Sequence, residues 1–495
     1  MRAVRARLYR ESGPRFLGRT PSAVPIKDGT ASTSEVLDAV VREGAWLPAA
    51  EVIPPKRQGT VGAPRTYPEF TWTLLEELLW VIGSASTTKL MRELGRGGVW
   101  RTIRKKLRRH WPELPELPHD PPARQTFEYY LDRYLANSDE TMERRLQRHA
   151  KVSTQQAIEA GNFDPAGGGS STHPTVERTV YGDGKVIDAQ YKSKPGTTRV
   201  NRKTGEVRPV RFDPDAWWYA EGGGDLVWGI KFAVLSTRRA EGHFILGFEH
   251  VAKDHDEAKA ALTMLRRIKP YAPGAQAVVW DMILRGAHIT VIMTEVGLVA
   301  VVGVHAQENP DGKKGRQAGT YVPRTEDLDD VEVTMPDGTV EVLHLAAHDG
   351  WLSIKDITES GEPHYEHLVC TRIQRHQDKK GFRFYGYFKL PAEYGGKVIV
   401  IRLFQNEDDT RRRINRSENL RAIPEGSEDF RRLHVLRPDA ESVNAMIERA
   451  LAPVNGRAPA KGWRRLLALL LGWARMVNAV TLARCRARAG PRVAA

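Results

Sequence analysis

Cysteine is nearly missing from this chain. Only Cys370 and Cys485 occur in 495 residues, far apart and without metal-ligand spacing. That excludes a disulfide framework or a zinc finger and points to a reducing cytoplasm, nucleoid-associated if the partner is DNA. Long apolar runs are missing too. Leu466–Ala474 is too short to cross a bilayer and meets Arg475 at once, so no membrane segment is read. The basic start (Arg2, Arg5, Arg7, Arg10) leads into no apolar stretch, so it is no secretory signal. No internal repeat is present, and His243, His250 and His255, without zinc spacing, read as surface or sheet residues. Acidic residues are in deficit: 61 Asp and Glu against 75 Lys and Arg leave a net charge of +14. Such a charge suits a polyanionic partner, because a basic surface attracts phosphate backbones and releases their counterions. The plain alternative is a basic protein with no such partner.

What is present falls into blocks. Residues 1–62 read as an irregular, loosely packed leader. Residues 63–160 read as a helical region: Phe70, Leu74, Leu75, Leu78, Leu79 and Ile82 recur at helical spacing. Ser86–Leu94 offers a second helix and Trp100–Leu107 a third, the last one basic through Arg101, Arg104, Lys105, Lys106, Arg108 and Arg109. Three short helices ending in a basic one fit a helix-turn-helix reader of double-stranded DNA; a solvated basic face on an ordinary bundle fits equally. Pro112 to Pro122 form a stiff linker, Phe127–His149 a helical piece, and Gly161–Thr175 a flexible junction.

Residues 175–304 bring a different order. Thr179–Tyr191 reads as a strand turning at Gly184 into a second, followed by Leu226–Thr237 and His243–Val251. Asp254, with Glu257 three residues on, offers a capping box for a helix with Ala258, Ala261, Leu262, Leu265 and Ile268 on one face. A short apolar strand then ends at Asp281, and Gly297–Val304 follows. Antiparallel strands, a helix, then parallel strands is the order of an RNase H-like α/β domain, a mixed sheet flanked by helices. Residues 305–435 read as a polar, β-rich insertion, and residues 436–487 as the C-terminal helices of the core. There Val443, Met446, Ile447, Ala450 and Leu451 form an apolar stripe, with Glu441 roughly opposite it.

Three acidic residues in three local settings stand out: Asp183 in a strand, Asp281 at a strand end, Glu441 in the first turn of a helix. Carboxylates are the ligands that hard divalent cations take, and two such cations catalyse in-line displacement at phosphorus. Each residue also has an ordinary reading. Asp183 could cap a hairpin turn at Gly184, Asp281 could cap the next helix, and Glu441 could be a solvated glutamate near a helix start, with Glu448 two turns on as substitute ligand. Trp217, Trp218 and Trp351 could stack on bases or belong to the core.

Gly182-Asp-Gly, the block Trp228-Gly-Ile-Lys-Phe to Gly242-His-Phe-Ile-Leu-Gly, the Asp256-Glu-Ala-Lys helix and Val278-Val-Trp-Asp together resemble DDE transposases of bacterial insertion sequences. So does the tail, with Arg437 four residues before Glu441 and Asn478 in the closing helix. The resemblance spans roughly residues 63 to 485, and the long gap before Glu441 matches members that insert a β domain there. It implies that Asp183, Asp281 and Glu441 hold two Mg²⁺ ions, with Mn²⁺ as a substitute, and that Arg437 contacts a phosphate or braces Glu441. It further implies cleavage at element ends and strand transfer into target DNA by a homodimer on DNA. The alternatives are an inactive, transposase-derived DNA-binding protein and an RNase H-like nuclease. The chain departs from parts of the pattern: His434 and Glu448 stand where one subgroup has Tyr and Lys, and Met282-Ile-Leu-Arg-Gly-Ala-His replaces Arg-Gly-Tyr.

Overall fold

The computed structural model describes residues 31–54, 65–96, 98–166, 170–220, 226–252, 257–305 and 322–489. Asp254, Asp256, His255, Asp225 and the ends of the expected leader lie outside them. The described part of that leader is not irregular. Helix α1 (Thr33–Glu43) starts at a Ser32–Glu35 capping box and stops at Gly44 in the left-handed region. Trp46 behind it is fully buried.

The three expected helices form as α2 (Phe70–Val81), α3 (Thr87–Gly95) and α4 (Val99–His110). They are not a detachable unit, because α2 packs along the last helix of the chain. Glu76 and Glu77 of α2 are fully buried and pair with Arg475 at 2.9 and 2.7 Å, and Arg145 joins Glu76. Removing one member would strand a buried charge, which is costly. The Pro-rich linker lies against α4, whose Trp100 indole donates to the carbonyl of Pro118. The helical piece beyond it is longer than its pattern suggested: Arg124–Tyr130, a wider turn at Leu131–Leu135, then α5 (Asp139–Glu159). The junction after α5 is tied down at its start, where Phe163 is buried and Asn162 bonds Thr237 and Arg238.

The centre is a mixed sheet of β1 (Thr179–Asp188), β2 (Leu226–Arg239), β3 (Gly242–Val251), β4 (Ala277–Val279) and β5 (Val299–Val301). Strand β1 pairs antiparallel with β2 and parallel with β4; β2 pairs antiparallel with β3, and β4 parallel with β5. The order across the sheet is therefore β3-β2-β1-β4-β5, with Trp217–Ala220 adding to the start of β2. Helix α6 (Glu257–Ile268) packs on β2 and β3, and α7 (Gly286–Val291) precedes β5. The all-apolar, fully buried β4 and β5 fit strands covered on both faces.

The insertion holds two antiparallel sheets. One is β6 (Thr325–Thr334), β7 (Val340–His348), β8 (Trp351–Ile357) and β9 (Pro363–His367); the other is β10 (Val369–Asp378), β11 (Gly381–Lys389) and β12 (Val398–Arg402). It also ends in short helices at Glu407–Arg412, Arg416–Asn419 and Glu428–His434 that alternation did not suggest. Arg421 fastens it to the core by donating to the carbonyls of Val302 and Gly303.

Helix α8 (Leu436–Leu451) packs on β1, burying Val443, Ile447 and Leu451. It starts early enough that Glu441 lies in its second turn, not the first as expected, and Asp439 is the acid of the first turn. The closing helix α9 (Trp463–Ala489) is longer than the apolar run Leu466–Ala474. By length and composition it could cross a membrane, yet 89% of its apolar stretch is buried inside the protein. Its Asn478 holds both the N–H and the carbonyl of Ile245, where the β2–β3 register slips.

Candidate active site

Strand pairing sets Asp183. Strand β1 runs unbroken through Gly184, which faces Ala233 of β2, so the expected turn there is absent and Asp183 caps nothing. The parallel ladder between β1 and β4 ends at Tyr181 opposite Val279. Two residues on along each chain come Asp183 and Asp281. Register alone thus brings them together just past the end of the parallel ladder, Asp183 midway along β1 and Asp281 beyond the carboxyl end of β4.

The glycines around Asp183 have a packing reason. A Cβ on Gly182 would overlap the Trp280 ring, and one on Gly184 would overlap the Glu257 carboxylate. Gly-Asp-Gly therefore lets Trp280 and the head of α6 close on one face of β1. Asp183 leans to the other face, where Asn444 of α8 donates to its Oδ2 at 2.9 Å.

One carboxylate oxygen each from Asp183, Glu257 and Asp281 lies within 4.8 Å of the others. Glu257 is the residue that sequence reasoning missed, seeing in it only a capping partner. It is 4% exposed, held by Lys231 at 2.6 Å and by the Trp280 indole at 3.3 Å. The available signals were a glutamate opening a helix and a lysine within the Trp228-Gly-Ile-Lys block; only the tertiary packing brings them together.

Glu441 is outside this tight cluster. Its side chain is 66% exposed and reaches the site through Arg437, whose Nη1 stands 3.8 Å from Glu441 and 3.1 Å from Asp183. The two carboxylates are thus no further apart than those distances laid end to end. Glu448, the other candidate for third ligand, pairs with Lys185 at 2.6 Å instead. Asp281 is no helix cap: it accepts from the Ile283 N–H at 3.1 Å, while α7 begins only after Arg285.

Burial raises the pKa of Asp183; the Arg437 guanidinium opposes that rise, and Glu257 and Asp281 add to it. Burial also raises that of Asp281, the Ile283 N–H opposing and Glu257 adding. Three carboxylates gathered this closely repel one another, and a bound divalent cation would relieve them. The donors fit a hard cation such as Mg²⁺ or Mn²⁺, being carboxylate oxygens with no thiolate or imidazole among them. Beside them, Asn444 Oδ1 is buried without a hydrogen-bond partner.

On α4, Trp100, Ile103 and Leu107 are buried as their spacing predicts. The cations on its outer face divide into two sets. Arg104 and Arg108 meet Glu116, and Lys106 meets Asp38 at 2.6 Å. Arg101, Lys105 and Arg109 are exposed with no ion-pair partner among the described residues. Of the tryptophans, Trp351 donates to the Glu425 carbonyl, whereas Trp217 and Trp218 are exposed.

No family model, curated protein or solved structure matches the chain.

Proposed function

We propose that the chain is a DNA strand transferase of the DDE transposase type, which cleaves DNA at element ends and joins it to a target. The observation that carries this reading is the meeting of Asp183, within β1, and Asp281, just beyond β4, where the parallel ladder between those strands stops. The sheet order β3-β2-β1-β4-β5, with β2 antiparallel and β4 parallel to β1, supports an RNase H-like core. The β-rich insertion before α8 and the Arg437 contact with both Asp183 and Glu441 support the transposase form of it.

On this reading Asp183 and Asp281 hold the metal ions, and Glu441, one turn beyond Arg437, completes the set by swinging in from its exposed position. Bound cations would supply an activated water or 3′-hydroxyl nucleophile and stabilise the leaving oxygen. Arg437 offsets the charge of Asp183, and with cations bound to the carboxylates it would be free to contact a substrate phosphate. Lys231 pairs with Glu257 beside Gly184 and holds the floor of the site in place. The exposed cations of α4 would track the duplex.

The exposed Glu441 also favours a second reading, a DNA-binding protein of the same fold that transfers no strand. The deciding experiment incubates the chain with Mg²⁺ or Mn²⁺ and duplexes carrying the sequences that flank its reading frame. Nicking and joined products, absent in Asp281→Asn, are expected; binding without either product would leave the second reading. Nicking without joining would indicate a nuclease.

A further inference from the structure

Between β1 and β2 the chain leaves the sheet and builds an arm. Its root is anchored. Ala458 N–H donates to the Asp188 carbonyl at 2.7 Å, and buried Asp213 accepts from the Gly462 N–H at 3.0 Å. Asp215 accepts from the N–H of Trp463, and Trp217–Ala220 pairs with β2. Beyond this root stands a two-stranded ribbon, Thr198–Val200 against Val207–Pro209, in which every residue is exposed.

Among the described residues, the ribbon rests on its own ladder and turn hydrogen bonds, the Arg208–Glu206 pair, and Lys194 over the Trp218 ring at its root. An isolated two-stranded hairpin is marginal in water, and this one has no buried face to support it. Its register sets Arg199 directly opposite Arg208, a like-charge pair that destabilises a ladder. Lys192, Lys194, Arg199, Arg202, Lys203 and Arg211 are all exposed and have no ion-pair partner among the described residues. The acid within residues 189–212 is Glu206, bound to Arg208 at 2.6 Å. Valine faces valine on the opposite side, Val200 against Val207. A polyanion lying against such an arm would relieve the repulsion among its cations.

We propose that this ribbon is a second contact for duplex DNA, separate from α4 and continuous with the strand that bears Asp183. The identity of the polyanion rests on the function proposed above; the charge and geometry of the arm do not. A two-stranded ribbon fits the major groove of B-DNA, with cations at its edges reaching the phosphates. From Asp183 to the root at Asp188 is five residues of strand, about 17 Å. The ribbon therefore engages the duplex roughly five phosphates from the bond at the carboxylates, or further. It would hold the duplex in register there and read little sequence.

The test uses the full chain and a short fluorescent duplex of arbitrary sequence, titrated across about 50 to 200 mM salt. Arg199→Gln, Arg202→Gln and Lys203→Gln together should lower the slope of log K against log salt by up to about 2.7, about 0.9 for each phosphate no longer neutralised. Glu206→Gln frees Arg208 and should steepen it by up to about 0.9, a gain that misfolding cannot imitate. Wild-type slopes in both variants, with the wild-type chain binding and cutting DNA, would show that the ribbon neutralises no phosphate of the duplex. The inference then falls while the proposed function stands. Altered slopes in a chain that never cuts DNA would keep the ribbon as a DNA contact and remove the catalytic reading. A wild-type chain that binds no duplex overturns the inference.

Discussion

Arg437 Nη1 lies 3.1 Å from Oδ2 of Asp183, on the face of β1 that α8 covers. The same nitrogen is 3.8 Å from Glu441, so one guanidinium holds a position between two carboxylates of the proposed catalytic set. An arginine in that position partly offsets the repulsion that Glu257 and Asp281 impose on Asp183.

Metal-dependent cleavage should be lost in Asp183→Asn and Asp281→Asn, by at least about 100-fold, since disturbing even the partners of a metal ligand costs about 10- to 100-fold. Duplex binding, proposed to rest on separate basic elements, should persist in both. Glu441→Gln should be equally inactive with its unfolding temperature unchanged, because its side chain is exposed. Glu448→Gln should stay active. If Glu441→Gln cuts at the wild-type rate, the third ligand is not Glu441. Glu257→Gln then becomes the variant that decides.

Glu257→Ala should act on stability whatever it does to activity. It strands Lys231 beside the buried head of α6, and removing one partner of a largely buried pair costs about 3 kcal/mol. Gly184→Ala pushes a methyl group into the same carboxylate and should cost about 1 to 3 kcal/mol by overpacking. Urea unfolding measures both. Wild-type midpoints would mean that the head of α6 does not close on β1.

The pKa of Asp183 and of Asp281 is raised in the fold, so between the ordinary aspartate value and the raised one the folded state binds more protons than the unfolded chain. Stability without metal must then fall as pH rises through that window, and the strain remains at neutral pH. Asp281→Asn removes a charge from the cluster and should raise the metal-free unfolding temperature at neutral pH. Mg²⁺ should raise that of the wild type, by an amount equivalent to about 2.7 kcal/mol at about 100 times its dissociation constant, and less in acid. A wild type indifferent to Mg²⁺ and Mn²⁺ at every pH would contradict a metal site here.

For α4 the structure changes which cations should matter. Replacing Arg101, Lys105 and Arg109 with Gln should lower the salt slope of duplex binding by up to about 0.9 for each phosphate they neutralise. Arg104→Gln and Arg108→Gln should do less, since Glu116 already neutralises them, and Glu116→Gln should tighten binding. Equal effects from all five arginine and lysine variants would show that Glu116 gives way to DNA. No effect from any would return α4 to a merely solvated face.

Much of the local structure was legible in the residues. Apolar periodicity located α2, α4 and α8, enrichment in β-branched and aromatic residues located β2 and β3, and the buried faces of α4 and α8 match their stripes. The capping box at Ser32 and Gly44 was equally local, but it sits among glycine, proline and serine that suggested an irregular leader. Other features could not be read this way because their causes lie far apart in the chain. Gly184 has the look of a turn until Glu257, 73 positions on, is seen to need its missing side chain. The basic face of α4 shows its cations in sequence but not Asp38 and Glu116, which neutralise three of them.

The sequence by itself determined the candidate residues: acidic side chains in a strand, at a strand end and in a helix, in a basic chain short of cysteine. It did so because residue type and short-range spacing report local backbone state and local chemistry. Tertiary structure alone decided which of them meet. The β1–β4 register joined Asp183 to Asp281, the glycines beside Asp183 admitted Glu257, and Arg437 linked Glu441 at one remove. Strand order and helix packing bring together residues that are distant along the chain, and periodicity over a few turns carries no record of that.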